Sequence, residues 1–296
     1  MSDQSLPFEA VREKSRRKRR RAIGIGSPWA VPALVFLMAF FVLPLVSNIV
    51  RSVTGGQAAD DPLFYYRALL TDAYYLGIIY ETVKVAVLST AICVVIGYPI
   101  SYFMVRYAGR WNAVIVFCLI APLLTSIIMR TFGWTVLFSR RGLINIWLVD
   151  WGIIERPLNI LNQEIMVYIG LVHVLVPFMV LSITAVLQTI DRRLEESAQV
   201  LGANKLTTFW RITLPLSMDG IATGCILVFV LTNGSFLTML LLGGGQVTTL
   251  SLLIYQQFTL TQDVGFAAAM GNLLLLFALV CLVVQLKFIH RKGVAA

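Results

Sequence analysis

The segment from Glu195 to Pro215, EESAQVLGANKLTTFWRITLP, is a polar stretch between runs that are too apolar for water. Residues Leu194 to Leu201 are good helix formers with acidic side chains near the start, where the helix dipole favours them. Gly202 then suits the positive φ that often ends a helix. The pattern therefore predicts a short helix followed by a sharp glycine turn.

A second short helix is expected after that turn. Asn204 can cap a helix from Lys205 to Ile212, and Pro215 is expected to end it. Large apolar side chains that face water usually mark a docking surface. Four such side chains are predicted here: Leu201, Leu206, Phe209 and Trp210.

The composition on either side of this segment is that of a membrane protein. Of 296 residues, 58% are hydrophobic and 13% charged, against about 45–50% and about 25% in globular domains. Six runs lack Asp, Glu, Lys and Arg over the roughly 20 residues that cross a bilayer as a helix. They are Ala22 to Val50, Val85 to Val105, Trp111 to Met129, Ile165 to Ile190, the first half of Gly220 to Gln262, and Val264 to Leu286.

We therefore predict an all-α integral membrane protein with six transmembrane helices. A basic tail, residues 1–28, precedes a membrane domain over residues 29–288, which includes the loop 191–217. A short tail, residues 289–296, follows it.

Basic residues set the expected orientation, because short loops rich in Lys and Arg stay in the cytoplasm. The run Arg12 to Arg21, REKSRRKRRR, and most other basic residues fall on one side of the predicted spans. Both termini and the Glu195 to Pro215 segment are therefore expected in the cytoplasm. Nucleic acid or anionic lipid could also bind such a tail, but the net charge of +9 is explained by topology and no nucleic acid partner is expected.

Motifs for catalysis or nucleotide binding are missing from the sequence. The four cysteines lie singly in apolar runs, there are only two histidines, and no phosphate-binding loop or paired intramembrane carboxylates occur. We expect no metal, no cofactor and no catalytic residues. A six-helix channel or an integral-membrane enzyme remains the alternative, although neither a selectivity element nor a cluster of His, Asp or Glu is visible.

The segment resembles the cytoplasmic signature of the permease subunits of bacterial ABC importers with the type I fold. That signature is Glu-Ala-Ala, three residues, Gly, nine residues and Ile-x-Leu-Pro. The matching positions here are Glu196, Ser197, Ala198, Gly202, Ile212, Leu214 and Pro215, with Ser197 in place of an alanine. The resemblance implies that Gly202 to Phe209 is a coupling helix that docks in a groove of an ATP-hydrolysing subunit. The residues that it assigns to coupling are Glu196, Ser197, Ala198, Gly202, Ala203, Leu206, Phe209, Ile212, Leu214 and Pro215.

Shorter strings resemble the polyamine branch of this family, specifically its first permease component. They are Gly142 to Asn145, Val176 to Leu181, Leu241 to Gly244 and Tyr255 to Phe258. Where that branch commonly has Gly-Asp-Phe, this chain has Gly234 to Phe236 with a serine in the middle. The solute is therefore left open among polyamine-like compounds, opines, amino-acid derivatives and sugar-like compounds.

The resemblance implies one half of a solute pathway in the bacterial inner membrane. Its expected partners are a dimeric ATP-binding subunit, a second permease subunit and an extracytoplasmic solute-binding protein. Polar residues within the spans are candidates for lining the pathway. We select His173, Asn233, Ser235 and Thr238.

Overall fold

The computed structural model describes residues 30–56 and 61–293, and it describes side chains for residues 31–56 and 61–283. The predicted tail 1–28 lies outside the described residues. Contacts divide the chain into two compact units, residues 1–50 and 51–296. The first unit holds most of helix α1, Ala30–Thr54, which is long and apolar enough to cross a membrane.

The second unit consists of helices joined by turns over its described residues. Two π turns, Phe209–Thr213 and Gln257–Thr261, interrupt the α-helical pattern. The helices are α2 Phe64–Thr71, α3 Ala73–Arg106, α4 Asn112–Leu124, α5 Ile127–Phe138, α6 Leu143–Asp150, α7 Glu164–Leu187, α8 Arg192–Val200, α9 Lys205–Thr208, α10 Leu214–Asn233, α11 Phe236–Leu242, α12 Leu250–Gln256 and α13 Val264–Gly293. Helix α13 thus continues past the predicted domain boundary at residue 288.

Five helices among the described residues are long and apolar enough to span a membrane, or six if one bent pair counts as a span. The bent pair replaces the predicted third span, Trp111 to Met129, which is wrong as a continuous helix. The chain turns by 99° between Leu124 and Ile127. Thr125 and Ser126 are extended there, and the Thr125 carbonyl accepts a bond of 2.9 Å from Arg130 Nη2. A break at membrane depth is tolerated where its carbonyls find such partners.

The second span starts twelve residues before the predicted Val85, because α3 begins at Ala73. Asp72 caps it by accepting the N–H of Tyr74 at 2.9 Å. Glu81 and Lys84, which precede the predicted start, therefore lie within α3, where Lys84 Nζ is 3.2 Å from Glu81 and 2.8 Å from Glu164 on α7. Pairing of this kind allows charged groups within a span.

Helices α3, α7 and α10 pack together as the core of the second unit. Glycines permit the close approach: a Cβ on Gly97 would lie 2.9 Å from Met179, and one on Gly220 only 3.1 Å from the Ile183 backbone. Ser101 Oγ also donates to the Val180 carbonyl at 3.0 Å. Residues 188–213 join α7 to α10. Since α3 packs against both helices, its Arg106 end lies against this connection.

Candidate functional site

The connection between α7 and α10 contains the predicted helix, glycine turn and helix. Its first helix, α8, starts at Arg192, two residues before the predicted Leu194. The earlier start follows from Asp191, whose Oδ1 accepts the N–H of Arg193 at 2.9 Å as an N-cap.

Gly202 ends α8 in the predicted left-handed conformation, with φ of +92°. The N–H of Ala203 donates to the Ala198 carbonyl and that of Gly202 to the Gln199 carbonyl, both at 3.0 Å. These two bonds define a Schellman cap. A Cβ at Gly202 would find no other atom within 4 Å, so this turn faces open space.

Asn204 caps the second helix as predicted, accepting the N–H of Thr207 at 2.7 Å. The prediction that Pro215 ends this helix is wrong, because the helix continues from Lys205 to Asn233 as the fifth span. The π turn Phe209–Thr213 precedes Pro215, which lies in the first turn of α10. A wide turn at that point accommodates a residue that has no N–H to donate.

The turn exposes a set of apolar side chains. Val200 and Leu201 are each 87% exposed, Leu206 is 67% exposed and Trp210 is 58% exposed. We call these four side chains, together with Gly202, the docking face. The prediction for Phe209 is wrong, because its ring packs edge-on against Tyr98 and Tyr102 of α3.

A buried ion pair lies on the inner side of the same connection. Arg106, the last residue of α3, places Nη2 at 2.8 Å and Nε at 3.1 Å from Glu195 Oε1. Thr213 Oγ1 donates to the same oxygen at 2.9 Å. The Arg106 and Glu195 side chains are only 8% and 9% exposed. One carboxylate oxygen thus joins α3, α8 and the π turn.

A second contact ties α10 to α3 nearby. The hydroxyls of Tyr98 and Ser217 lie 2.9 Å apart, and both residues are buried. The Phe209 ring lies 5.5 Å from the Tyr98 ring. The connection is therefore fixed on its inner side and exposed at its turn.

The sequence analysis missed the Arg106 and Glu195 pair. Arg106 was used only as a topology marker and Glu195 only as an acid near a helix start. Glu196, the acid of the resembled signature, is exposed and lies 3.3 Å from Arg192. No local spacing links Glu195 to Arg106, which is 89 residues away, so only the packed structure brings them together.

The other predicted coupling residues divide between the two sides. Leu206 belongs to the docking face, while Ala198, Ala203, Ile212 and Leu214 are half-buried. Glu196, Ser197 and Pro215 are exposed.

The predicted pathway residues lie in three different settings. His173 contacts Trp134 edge-on at 5.2 Å and lines an apolar cavity of about 530 Å³ among α3, α4, α5 and α7. Asn233 and Ser235 lie where α10 breaks, and their side chains donate at 2.8 Å to carbonyls of α10. Thr238 is 4% exposed on α11.

Comparison with known sequences finds one protein family and several permease relatives that match most of this chain. The family described as "Binding-protein-dependent transport system inner membrane component" matches residues 25–293. The "Spermidine/putrescine transport system permease protein PotB" of Haemophilus influenzae is 32% identical, over 88% of this chain and 94% of that protein. Its Escherichia coli K12 counterpart is 33% identical over 79% and 86%. The "Molybdenum transport system permease protein ModB" of Mycobacterium bovis is 31% identical over 87% and 94%.

Solved structures have the same fold at lower identity. A chain of a bacterial alginate ABC transporter, in complex with its pentasaccharide-bound periplasmic protein, superposes with a TM-score of 0.72 at 19% identity, covering 93% of this chain and 94% of that chain. A chain of the MetNI methionine ABC transporter gives 0.56 at 15% identity, covering 73% and 94%.

Proposed function

Because the chain belongs to the family of binding-protein-dependent transport system inner membrane components, we propose that it is a permease subunit that forms half of a solute pathway and couples to a separate ATPase. The observation that carries the proposal is the docking face: large apolar side chains around a capped turn, on a connection whose other side is buried against α3.

The ATPase subunit would receive this docking face in a groove. The face is apolar at Val200, Leu201, Leu206 and Trp210, so the floor of the groove should be apolar too. Four exposed basic side chains lie in the same connection: Arg192, Arg193, Lys205 and Arg211. Complementary charge would therefore give the groove an acidic rim.

The remaining partners follow from the family. A second permease subunit would complete the pathway, an extracytoplasmic solute-binding protein would deliver the solute, and all would assemble in the bacterial inner membrane. Both termini and the docking face would lie in the cytoplasm, as the distribution of basic residues favours. His173, Asn233, Ser235 and Thr238 remain our candidates for the pathway.

The proposed solute is a polyamine, because the relatives at 32% and 33% identity are spermidine/putrescine permeases over most of their length. An opine or amino-acid derivative is the second candidate. Ser235, whose hydroxyl donates to the Leu231 carbonyl of α10, stands where the resembled polyamine branch commonly has an acid. A carboxylate there would suit a polycation better than a hydroxyl does.

Co-purification from the native membrane tests the subunit assignment. The affinity-tagged full chain should bring down an ATPase and a second permease subunit. Recovery of the chain alone, with channel conductance in lipid bilayers, would contradict the proposal. The cargo is tested separately by calorimetric titration of the cognate solute-binding protein with spermidine, putrescine, octopine and glutamine. Binding of octopine or glutamine without either polyamine would replace the first candidate with the second.

A further inference from the structure

We infer that Arg106 is a positioning residue that links the ATPase-docking turn to the second span. The inference deepens the proposed function and rests on it. Glu195 and Thr213 complete the link, because both contact Arg106 or its bound carboxylate oxygen within one buried cluster.

The first argument is the location of the three groups. Arg106 is the last residue of α3, Glu195 lies in α8, and Thr213 closes the π turn that leads into α10. The guanidinium also lies 3.5 Å from the carbonyl of Ile190, just after α7. The cluster therefore contacts the end of α3, the residue that follows the end of α7 closely, α8 and the π turn that leads into α10.

The second argument is burial. Both charged side chains are less than one tenth exposed, and a buried charge that loses its partner is strongly unfavourable. The pair must therefore stay together when the docking face is displaced. A displacement of α8 that preserves the pair also displaces the end of α3.

The third argument is that the pair adds little for anchoring alone. Apolar residues of similar volume often replace buried ion pairs without loss of stability. Phe209 and the bond between Tyr98 and Ser217 already hold the connection against α3. The ion pair adds hydrogen bonds of fixed direction between α3 and α8. Apolar contacts are not directional, so they do not fix the position of one helix along the other.

A matched pair of double variants tests the inference. The first, Arg106→Met with Glu195→Met, removes the buried link but keeps side-chain volume. The control, Arg67→Met with Asp61→Asn, removes an exposed ion pair between an arginine and a carboxylate, whose Nη1 and Oδ2 atoms lie 3.3 Å apart. Its side chains are 68% and 38% exposed, and neither residue lies on α3, α8 or the π turn, so this pair should carry no such link.

The assay uses the complete importer in lipid nanodiscs with its solute-binding protein. A fluorophore on Leu76→Cys, in a background where the four native cysteines are alanine, reports on the far end of α3. Orthovanadate with ATP drives the change of state. Coupling between two sites typically changes an equilibrium constant about 5- to 150-fold. We therefore expect the first variant to retain the ATPase, while its fluorescence change falls at least about fivefold below that of the wild-type chain.

The control variant should keep the full fluorescence change. An undiminished signal in the buried variant would overturn the inference, as would an equal loss in the control. If the buried variant releases the ATPase, the charge exchange Arg106→Glu with Glu195→Arg decides the matter. Recovery of both ATPase binding and the signal supports the link, and recovery of neither refutes it. A wild-type chain that never retains an ATPase would instead refute the proposed function.

Discussion

Substitution of Gly202 tests the geometry of the docking turn most directly. At φ of +92° a side chain is disfavoured by its own backbone, at about 1–2 kcal/mol for an ordinary L-residue. Nothing else lies within 4 Å of the added Cβ, so the free subunit contributes no further clash. Gly202→Ala should therefore lower the population of the docking turn by a factor of about 5–30.

Two further variants separate backbone strain from charge. Asparagine tolerates the left-handed region better than alanine does, so Gly202→Asn should weaken docking less than Gly202→Ala. Gly202→Asp has nearly the same shape as the asparagine variant and adds one negative charge to the docking face. Against an acidic groove, like charges cost up to several kcal/mol, so the aspartate should abolish solute-stimulated ATP hydrolysis.

The assay is a titration of the purified ATPase into nanodiscs that contain both permease subunits, with fluorescence anisotropy giving Kd. Membrane insertion of each variant, followed by immunoblot, should be unchanged because the turn is outside the core. Equal affinity of the glycine and alanine chains would show that docking does not require this turn. Equal affinity of the asparagine and aspartate chains would exclude the acidic rim.

Four shorter predictions concern other parts of the structure. Leu201→Ser should weaken ATPase binding by about 1.5–3 kcal/mol without lowering the melting temperature of the permease, because this side chain is 87% exposed in the free chain and would be buried only in the proposed complex. Tyr98→Phe should cost about 0.5–1.5 kcal/mol in a thermal melt, since it removes the bond to Ser217. Gly220→Leu should prevent folding, measured by monodisperse yield, because its Cβ position already meets the α7 backbone. A Lys205→Cys chain should react with a membrane-impermeant maleimide only after the cells are opened. Labelling of intact cells would show that the predicted orientation in the membrane is wrong.

Local chemistry explains which parts of the site could be predicted. Gly202 and Asn204 act through their own backbone and side-chain bonds to residues at most a few positions away. Their roles are therefore readable from a short window of sequence. The membrane class follows from the apolar composition, and most spans follow from apolar runs long enough to cross a bilayer.

Distant packing explains the errors. Phe209 was expected to be exposed because it lies in the polar segment between two spans, yet two tyrosines of α3 pack against its ring. Pro215 was expected to stop a helix, but the π turn before it allows the helix to continue although proline has no N–H to donate. The third span bends because Thr125 and Ser126 are extended, and both of their carbonyls accept hydrogen bonds from Arg130. Each outcome depends on groups that a sequence window does not contain.

The structure of the connection between α7 and α10 also determines how a displacement of the docking face would be transmitted to the core helices. Helix α8 is short, and helices of its length are unstable alone in water, so a free loop of this kind would dissipate any force by unwinding. Caps at Asp191 and Gly202 fix its ends, and the Glu195 carboxylate fixes its inner face to α3. A docking face at one surface and a buried ion pair at the other leave α8 few ways to move except together with the core helices. A ligand shifts an equilibrium only by its differential affinity for the two states. The proposed ATPase would therefore drive the permease only if its groove distinguished two positions of this face. A rigid α8 makes those positions discrete.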